Sequence, residues 1–219
     1  IVRFHAVYWP AFLMSAGLPL PKAIFGHGFL LARGEKMSKS LGNVVDPIEL
    51  ADKFGVDQLR YFLLREVSFG QDGSYSAEAI VTRCNAELAN SFGNLAQRVL
   101  SMIAKNLDGD ISLDIDETLT ANYDDKDLGE IQLTIYDFCL RLSRDVIPYR
   151  FQILDFSSGI EAWMVGVRLC NKYVDDMEPW SLRKTDPTKM KRVLMTLFRC
   201  IHSLAVAIKP IIPQATEKL

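Results

Sequence analysis

No stretch of the 219 residues is apolar for long enough to cross a bilayer. The best candidate, near the C-terminal end, is interrupted by Arg199, His202 and Lys209, and a transmembrane helix needs roughly 20 predominantly apolar residues. A large excess of charge of one sign is also missing. With 25 Lys and Arg against 27 Asp and Glu, the formal charge is −2, which excludes a protein that binds nucleic acid through a generally basic surface. Any RNA contact must then be local. Cysteine is sparse: Cys84, Cys139, Cys170 and Cys200 stand far apart in sequence, without the close pairs of metal or redox motifs. They are expected to be reduced core residues, which suits a cytoplasmic protein. No secretory leader is visible. No Ser–His–Asp or metal-ligand constellation can be built around the three histidines.

What is present suffices for a sizeable core, since 49% of the residues are hydrophobic and the length allows one or two domains. The pattern changes near residue 76. Before it, short apolar runs such as Ala23 to Phe25 and Phe29 to Ala32 alternate with Gly and Pro turns, as in the last strands and helices of an α/β sheet. Asp46-Pro47 predicts a helix start and Gly55 its stop. A second helix follows from Val56 to about Val67, and Gly70 to Gly73 reads as a turn. Beyond Ser76 the period is helical. Ile80, Cys84, Leu88, Phe92, Leu95, Val99 and Met102 predict one long amphipathic helix. The same spacing recurs at Ile131 to Val146, Ile160 to Met177 and Met190 to Leu204, the last started by Asp186-Pro187. Such helices predict a bundle. Asp108 to Asp127, with seven Asp and Glu117 against one Lys, reads as a solvated acidic connection.

Two groups of residues carry chemical information. The first is Lys36-Met37-Ser38-Lys39-Ser40 between Gly34 and Gly42. Two flexible ammonium groups with hydroxyls between them can follow a phosphoryl group as charge spreads over its oxygens. A random Lys-x-x-Lys is usually wet surface, but this pentamer arises by chance in roughly one chain in ten thousand of this length. The second group lies on the polar side of the long helix. Glu87, Ser91, Asn94, Arg98, Ser101 and Lys105 fall opposite its apolar stripe, with Asn94 and Arg98 one turn apart. Asn171 and Asp175 share a face of a later helix, which Pro179 ends, leaving Trp180 free to project. An isolated tryptophan is more often core than contact, and Trp163, without a motif around it, is assigned to the core.

The lysine loop, with His27-Gly28 upstream and Gly42-Asn43-Val44-Val45-Asp46-Pro47 downstream, resembles the second signature of class I aminoacyl-tRNA synthetases. Phe4-His5-Ala6-Val7-Tyr8-Trp9-Pro10-Ala11-Phe12-Leu13 narrows the resemblance to the methionyl-tRNA synthetase family, and the likeness extends along essentially all of the chain. It implies an α/β fold class, the C-terminal part of a Rossmann-type nucleotide fold, followed by an all-α helical bundle. Residues 1–45 would end the catalytic domain, 46–75 would form a linking segment, and 76–219 would be the anticodon-binding bundle. The family's first signature, a His-x-Gly-His type loop, is absent, so the chain is expected to be the later portion of a longer enzyme and inactive alone.

By the same resemblance, His27, Gly28, Lys36, Met37, Ser38, Lys39 and Ser40 bind ATP, and Lys36 and Lys39 stabilise the departing pyrophosphate. Phe4, His5 and Trp9 surround the methionine side chain, where aromatic faces suit a polarizable thioether. Asn94, Arg98, Asn171, Asp175 and Trp180 contact the anticodon, because unstacked bases of an RNA loop are read by stacking and by hydrogen bonds to their edges. The implied partners are methionine tRNA, ATP and L-methionine, with no membrane. Mg2+ is expected to arrive with ATP, and zinc is not expected in this portion. Two other readings use the same residues. A tRNA-binding module or split subunit would lack catalysis, and a nucleotidyltransferase of the same superfamily would not need the face bearing Asn94, Arg98 and Trp180.

Overall fold

The computed structural model describes residues 1–32, 34–38, 40, 42–68, 70–110 and 126–219. Lys39 of the lysine loop and residues 111–125 of the acidic connection lie outside the described residues. The chain opens with a π-helical turn, Phe4–Tyr8, that runs into α1 (Trp9–Ser15), and neither buries a residue. A small sheet follows, made of β1 (Leu30–Ala32), β2 (Glu35–Lys36) and, much later, β3 (Gly73–Tyr75), in the order β2-β1-β3. β1 pairs antiparallel with β2, Leu31 opposite Lys36, and parallel with β3, Leu30 opposite Gly73. The short strand in the segment read as a linker was not expected from the sequence. It returns the chain to the sheet and leads through one residue, Ser76, into the first helix of the bundle.

The linking helices have the expected limits for the expected reasons. In α2 (Pro47–Phe54) the Asp46 carboxylate accepts from the Ile48 amide and Gly55 ends the helix, while α3 spans Val56–Glu66. The bundle contains α4 (Ala77–Arg83), α5 (Asn94–Asn106), α6 (Lys126–Arg141), α7 (Ile147–Gln152), α8 (Phe156–Met177), α9 (Pro179–Thr185), α10 (Pro187–Ile208) and the short α11 (Pro213–Thr216). Two junctions are π-helical: Cys84–Gly93 joins α4 to α5, and Leu142–Val146 joins α6 to α7. The second junction precedes Pro148, which has no amide hydrogen to donate to the Arg144 carbonyl. Pro187 begins α10, with the Asp186 side chain accepting from the Lys189 amide.

The main core gathers around Trp163 of α8, fully buried. Its indole Nε1–H donates to the Leu204 carbonyl at 3.0 Å, and its ring meets Phe92 and Tyr61 edge-on at 4.9 and 6.2 Å between centroids. Its assignment to the core therefore holds. Tyr61 belongs to α3, so the linking helix is part of that core. On its other side, Leu59 and Phe62 pack with Ile80 and Cys84. Arg60 donates to the carbonyls of Pro210 and Ile211, and Asp57 accepts from the Ala215 amide. Packing and hydrogen bonds together fix the sheet's connection onto the bundle.

Candidate functional site

Lys36 ends β2 with its ammonium 4.5 Å from the centre of the Phe29 ring, a contact worth about 0.5–1 kcal/mol at an exposed place. The β1–β2 register thus sets the start of the lysine loop beside β1 and the segment that leads into it, which carries His27 and Gly28. Asn43 holds the loop from within: its Oδ1 accepts from the Ser38 amide at 2.8 Å, and its Nδ2 donates to the Lys36 carbonyl at 3.1 Å. The hydroxyls of Ser38 and Ser40 pair at 2.7 Å. Gly34 and Gly42, at φ +82° and +63°, occupy the left-handed region at the two ends of the loop, where a side chain costs energy. Asn43 was missed as a site residue. Only its place next to Gly42 signals it, because short amide side chains commonly bond nearby backbone in turns.

His27 and Gly28 have structural employment of their own. The His27 Nδ1 is 2.9 Å from the Gly28 carbonyl, which it meets as a donor, and the residue borders an apolar cavity of about 230 Å³ with Leu63, Leu64, Val67, Leu154 and Phe156. A Cβ on Gly28 would lie 1.9 Å from the Gln71 carbonyl oxygen. Close approach is indeed what this glycine permits, and the structure makes the approaching group the 70–72 turn. Phe4 packs edge-on against His5 and Phe12, the His5 Nδ1 lies 3.0 Å from the Ile1 carbonyl, and Phe4 and Trp9 are about half exposed. These three share one open helical segment.

The bundle brings a second set together. The Arg98 guanidinium lies 2.9 Å from the Asp175 carboxylate and 5.9 Å from the centre of the Trp180 ring. An exposed ion pair of this kind contributes at most about 1 kcal/mol, so its main effect is to aim the guanidinium. Trp180 is 51% exposed. Pro179 does more than stop α8: it starts α9, while Glu178 takes a left-handed conformation, φ +41°, and the resulting corner sets the indole outward. The Asn171 Nδ2 donates to the carbonyls of Ser91 and Val167, so both amide hydrogens are used within the bundle. Asn94 is exposed on the same helix as Arg98.

Glu87 corrects the expectation that it shares this polar face. The π-helical stretch from Cys84 to Gly93 takes more residues per turn than an α-helix, which rotates the positions before it away from those after it. Glu87 consequently points inward, 13% exposed, accepting from the Tyr61 hydroxyl at 2.6 Å, from Arg65 at 3.2 Å and from Arg83 at 3.1 Å. Burial pushes its carboxyl up, but the Tyr61 hydroxyl and the Arg65 and Arg83 charges outweigh that and hold it below its ordinary value. Arg65 also pairs with Glu161 of α8, and Arg83 with Glu66. The Ser91 hydroxyl donates to the Ala86 carbonyl of its own helix.

Comparison with known proteins agrees with this geometry. Residues 1–100 match a family described as tRNA synthetases class I (M), and residues 161–219 match one described as the anticodon binding domain of methionyl tRNA ligase. The methionine–tRNA ligase of Brucella suis is 52% identical over all 219 residues, which cover 40% of that protein. The chain belongs to the methionyl-tRNA synthetase family. The methionine–tRNA ligase of Rhizobium meliloti is 49% identical with the same coverage. A solved Mycobacterium tuberculosis methionyl-tRNA synthetase in complex with methionyl-adenylate superimposes on the whole chain with a TM-score of 0.84 at 48% identity, over 41% of that structure. The chain thus spans about 40% of the length of the family members it matches. The expected fold, an α/β portion followed by a helical anticodon-binding domain, is the one found.

Metal-binding potential is distributed unexpectedly. Among the described residues, the one group of three or more His, Cys, Asp or Glu with ligand atoms close enough to share an ion is Cys139, Cys170 and Cys200. Near the lysine loop, Asp72 accepts from the Phe29 amide and Asp46 caps α2, and among the described residues Glu35 of β2 forms no such cluster with other acidic residues or histidines. The described residues therefore fit a magnesium ion that is held by nucleotide phosphates, as is common for Mg2+, better than one held by a protein cage. No helix among the described residues is long and apolar enough to cross a membrane.

Proposed function

We propose that this chain supplies the pyrophosphate-stabilising loop and the anticodon-reading bundle of an ATP-dependent methionine–tRNA ligase acting in the cytoplasm. In that reaction the methionine carboxylate attacks the α-phosphate of ATP, pyrophosphate leaves, and the aminoacyl group passes to the terminal adenosine of methionine tRNA. Lys36 and Lys39 neutralise the charge that develops on the departing pyrophosphate. Met37, Ser38 and Ser40 line that contact, and His27 and Gly28 sit beside the nucleotide. Phe4, His5 and Trp9 form part of the methionine pocket, which other segments of the catalytic domain complete. Residues 1–45 end the nucleotide fold, 46–75 join it to the bundle, and 76–219 read the anticodon. When bound, Mg2+ shields the phosphates.

The observation that carries this reading is the lysine loop, held by Asn43 between two left-handed glycines, in the same chain as an outward Trp180 with Arg98 stacked nearby. A nucleotidyltransferase that only shares the loop has no use for the second feature. Trp180→Ala is expected to weaken binding of methionine tRNA by about 1–3 kcal/mol, the cost of losing one base-stacking platform, and to leave methionine-dependent ATP–pyrophosphate exchange intact. Filter binding and exchange, measured on a polypeptide of the relatives' full length that carries this chain, separate the two. Unchanged tRNA affinity would remove the stacking role.

A further inference from the structure

Cys139 of α6, Cys170 of α8 and Cys200 of α10 come from three helices and meet in the bundle core. All three are fully buried, their Sγ atoms lie within 4.8 Å of one another, and those of Cys139 and Cys170 are 3.8 Å apart. All are free thiols. We propose that this triangle is a three-thiolate binding site for a trivalent thiophilic centre, with arsenic(III) as its best-matched occupant. The inference rests on the bundle's packing alone and is independent of any reading of the lysine loop or the anticodon face.

Coordination number and charge select the occupant. An ion with bonds of about 2.3 Å to three sulfurs holds those sulfurs roughly 3.5–4 Å apart, so the triangle needs only a small closure of its longer edges. No His, Asp or Glu joins the group among the described residues, which leaves tetrahedral zinc without a fourth protein ligand. Three thiolates around a divalent ion carry a net charge of −1, and around copper(I) −2, and charge left in an apolar core is costly. Around As(III) the charge is zero, and the lone pair of arsenic fills the fourth position. The exchange balances without an oxidant or reductant. Arsenous acid, As(OH)3, gives up three As–O bonds and three thiols give up their S–H bonds. Three As–S bonds form and three waters leave.

The route of access favours that exchange. Arsenous acid is uncharged at neutral pH, so it can pass between apolar side chains without the cost of burying a charge. A cavity of about 690 Å³ between α6 and α8, lined by Ile135, Phe138, Leu169 and Tyr173 with Lys172 and Asp176 beside them, comes within one helical turn of both Cys139 and Cys170. Occupation would staple three helices at the level of Asn171, the neighbour of Cys170.

Titration of the reduced protein with sodium arsenite tests the site. Native mass spectrometry should find one arsenic per chain, heavier than the free protein by one As less three H, and X-ray absorption should find three sulfur neighbours. Cys84→Ser should bind arsenite as wild type does. Cys139→Ser, Cys170→Ser and Cys200→Ser should each lose at least the roughly 10- to 100-fold in affinity that disturbing even an outer partner of a metal ligand costs. Where a serine variant loses its helical circular dichroism, the corresponding alanine variant replaces it, and the wild-type sulfur count stands without any variant. The proposal fails if arsenic is absent or has two sulfur neighbours, if Cys84→Ser loses affinity equally, or if the urea-unfolded chain binds as tightly as the folded one.

Discussion

Lys36→Ala, made in a polypeptide of the relatives' full length, is expected to lower methionine-dependent ATP–pyrophosphate exchange by roughly a hundredfold or more, the usual effect of removing one group that stabilises transition-state charge. The side chain is exposed and its only described packing contact is the Phe29 ring, so folding should be almost unaffected. Methionine affinity should change little, because charge develops on the phosphates and not on the amino acid. The positioning residue gives a second handle on the same loop. Asn43→Ala removes both hydrogen bonds that hold Ser38 and Lys36 in one arrangement, and it should lower exchange by less than Lys36→Ala does, since the charge is retained and only its placement loosens. Full exchange in Lys36→Ala would remove the phosphate role, and an Asn43→Ala defect larger than that of Lys36→Ala would mean that the loop acts chiefly through its shape.

Glu87→Ala should destabilise the protein by about 3–5 kcal/mol, the range for breaking a buried ion pair by removing one partner. The variant leaves Arg65 facing Glu161 alone, the Tyr61 hydroxyl without its acceptor and Arg83 with Glu66 alone. Against a total stability of about 5–15 kcal/mol, that is a large fraction, and urea unfolding followed by circular dichroism measures it. The pH dependence has a definite sign. The Glu87 carboxyl is held below its ordinary value in the folded state, so its contribution is fully present above the unfolded value of about 4.3 and fades as pH falls through the lower folded one. The stability difference between wild type and Glu87→Gln should therefore shrink below about pH 4. A difference that stays constant to lower pH would mean that Glu87 is not ionised in the folded protein.

The parts of the fold legible in the sequence are those specified by neighbours along the chain. Asp46-Pro47 and Gly55 bound α2, and Asp186-Pro187 starts α10, because a cap acts within three residues of itself. The features that were not legible depend on contacts between distant segments or on small changes of helical pitch. β3 is three residues long and exists because β1 lies beside it. The π-helical stretch at Cys84–Gly93 leaves the apolar spacing nearly unchanged, yet it rotates Glu87 inward. Cys139, Cys170 and Cys200 are about thirty residues apart along the chain, and only the crossing of three helices makes them neighbours. At the site, residue identity was enough to single out the lysine loop and Arg98, Asp175 and Trp180, whereas Asn43 and the Glu178 corner that aims Trp180 required the backbone.

Charging of two methionine tRNA transcripts, one with a CAU anticodon and one with a single anticodon base changed, brings the loop and the bundle into one assay. Wild type should aminoacylate the CAU transcript far better. Arg98→Ala and Trp180→Ala should each lower charging of the CAU transcript, and if Arg98 meets a base edge its loss should also narrow the preference, while exchange activity stays at the wild-type level. If both variants charge the two transcripts as wild type does, with the same preference, the bundle is a structural support and the assignment of anticodon reading to Asn94, Arg98, Asn171, Asp175 and Trp180 is wrong.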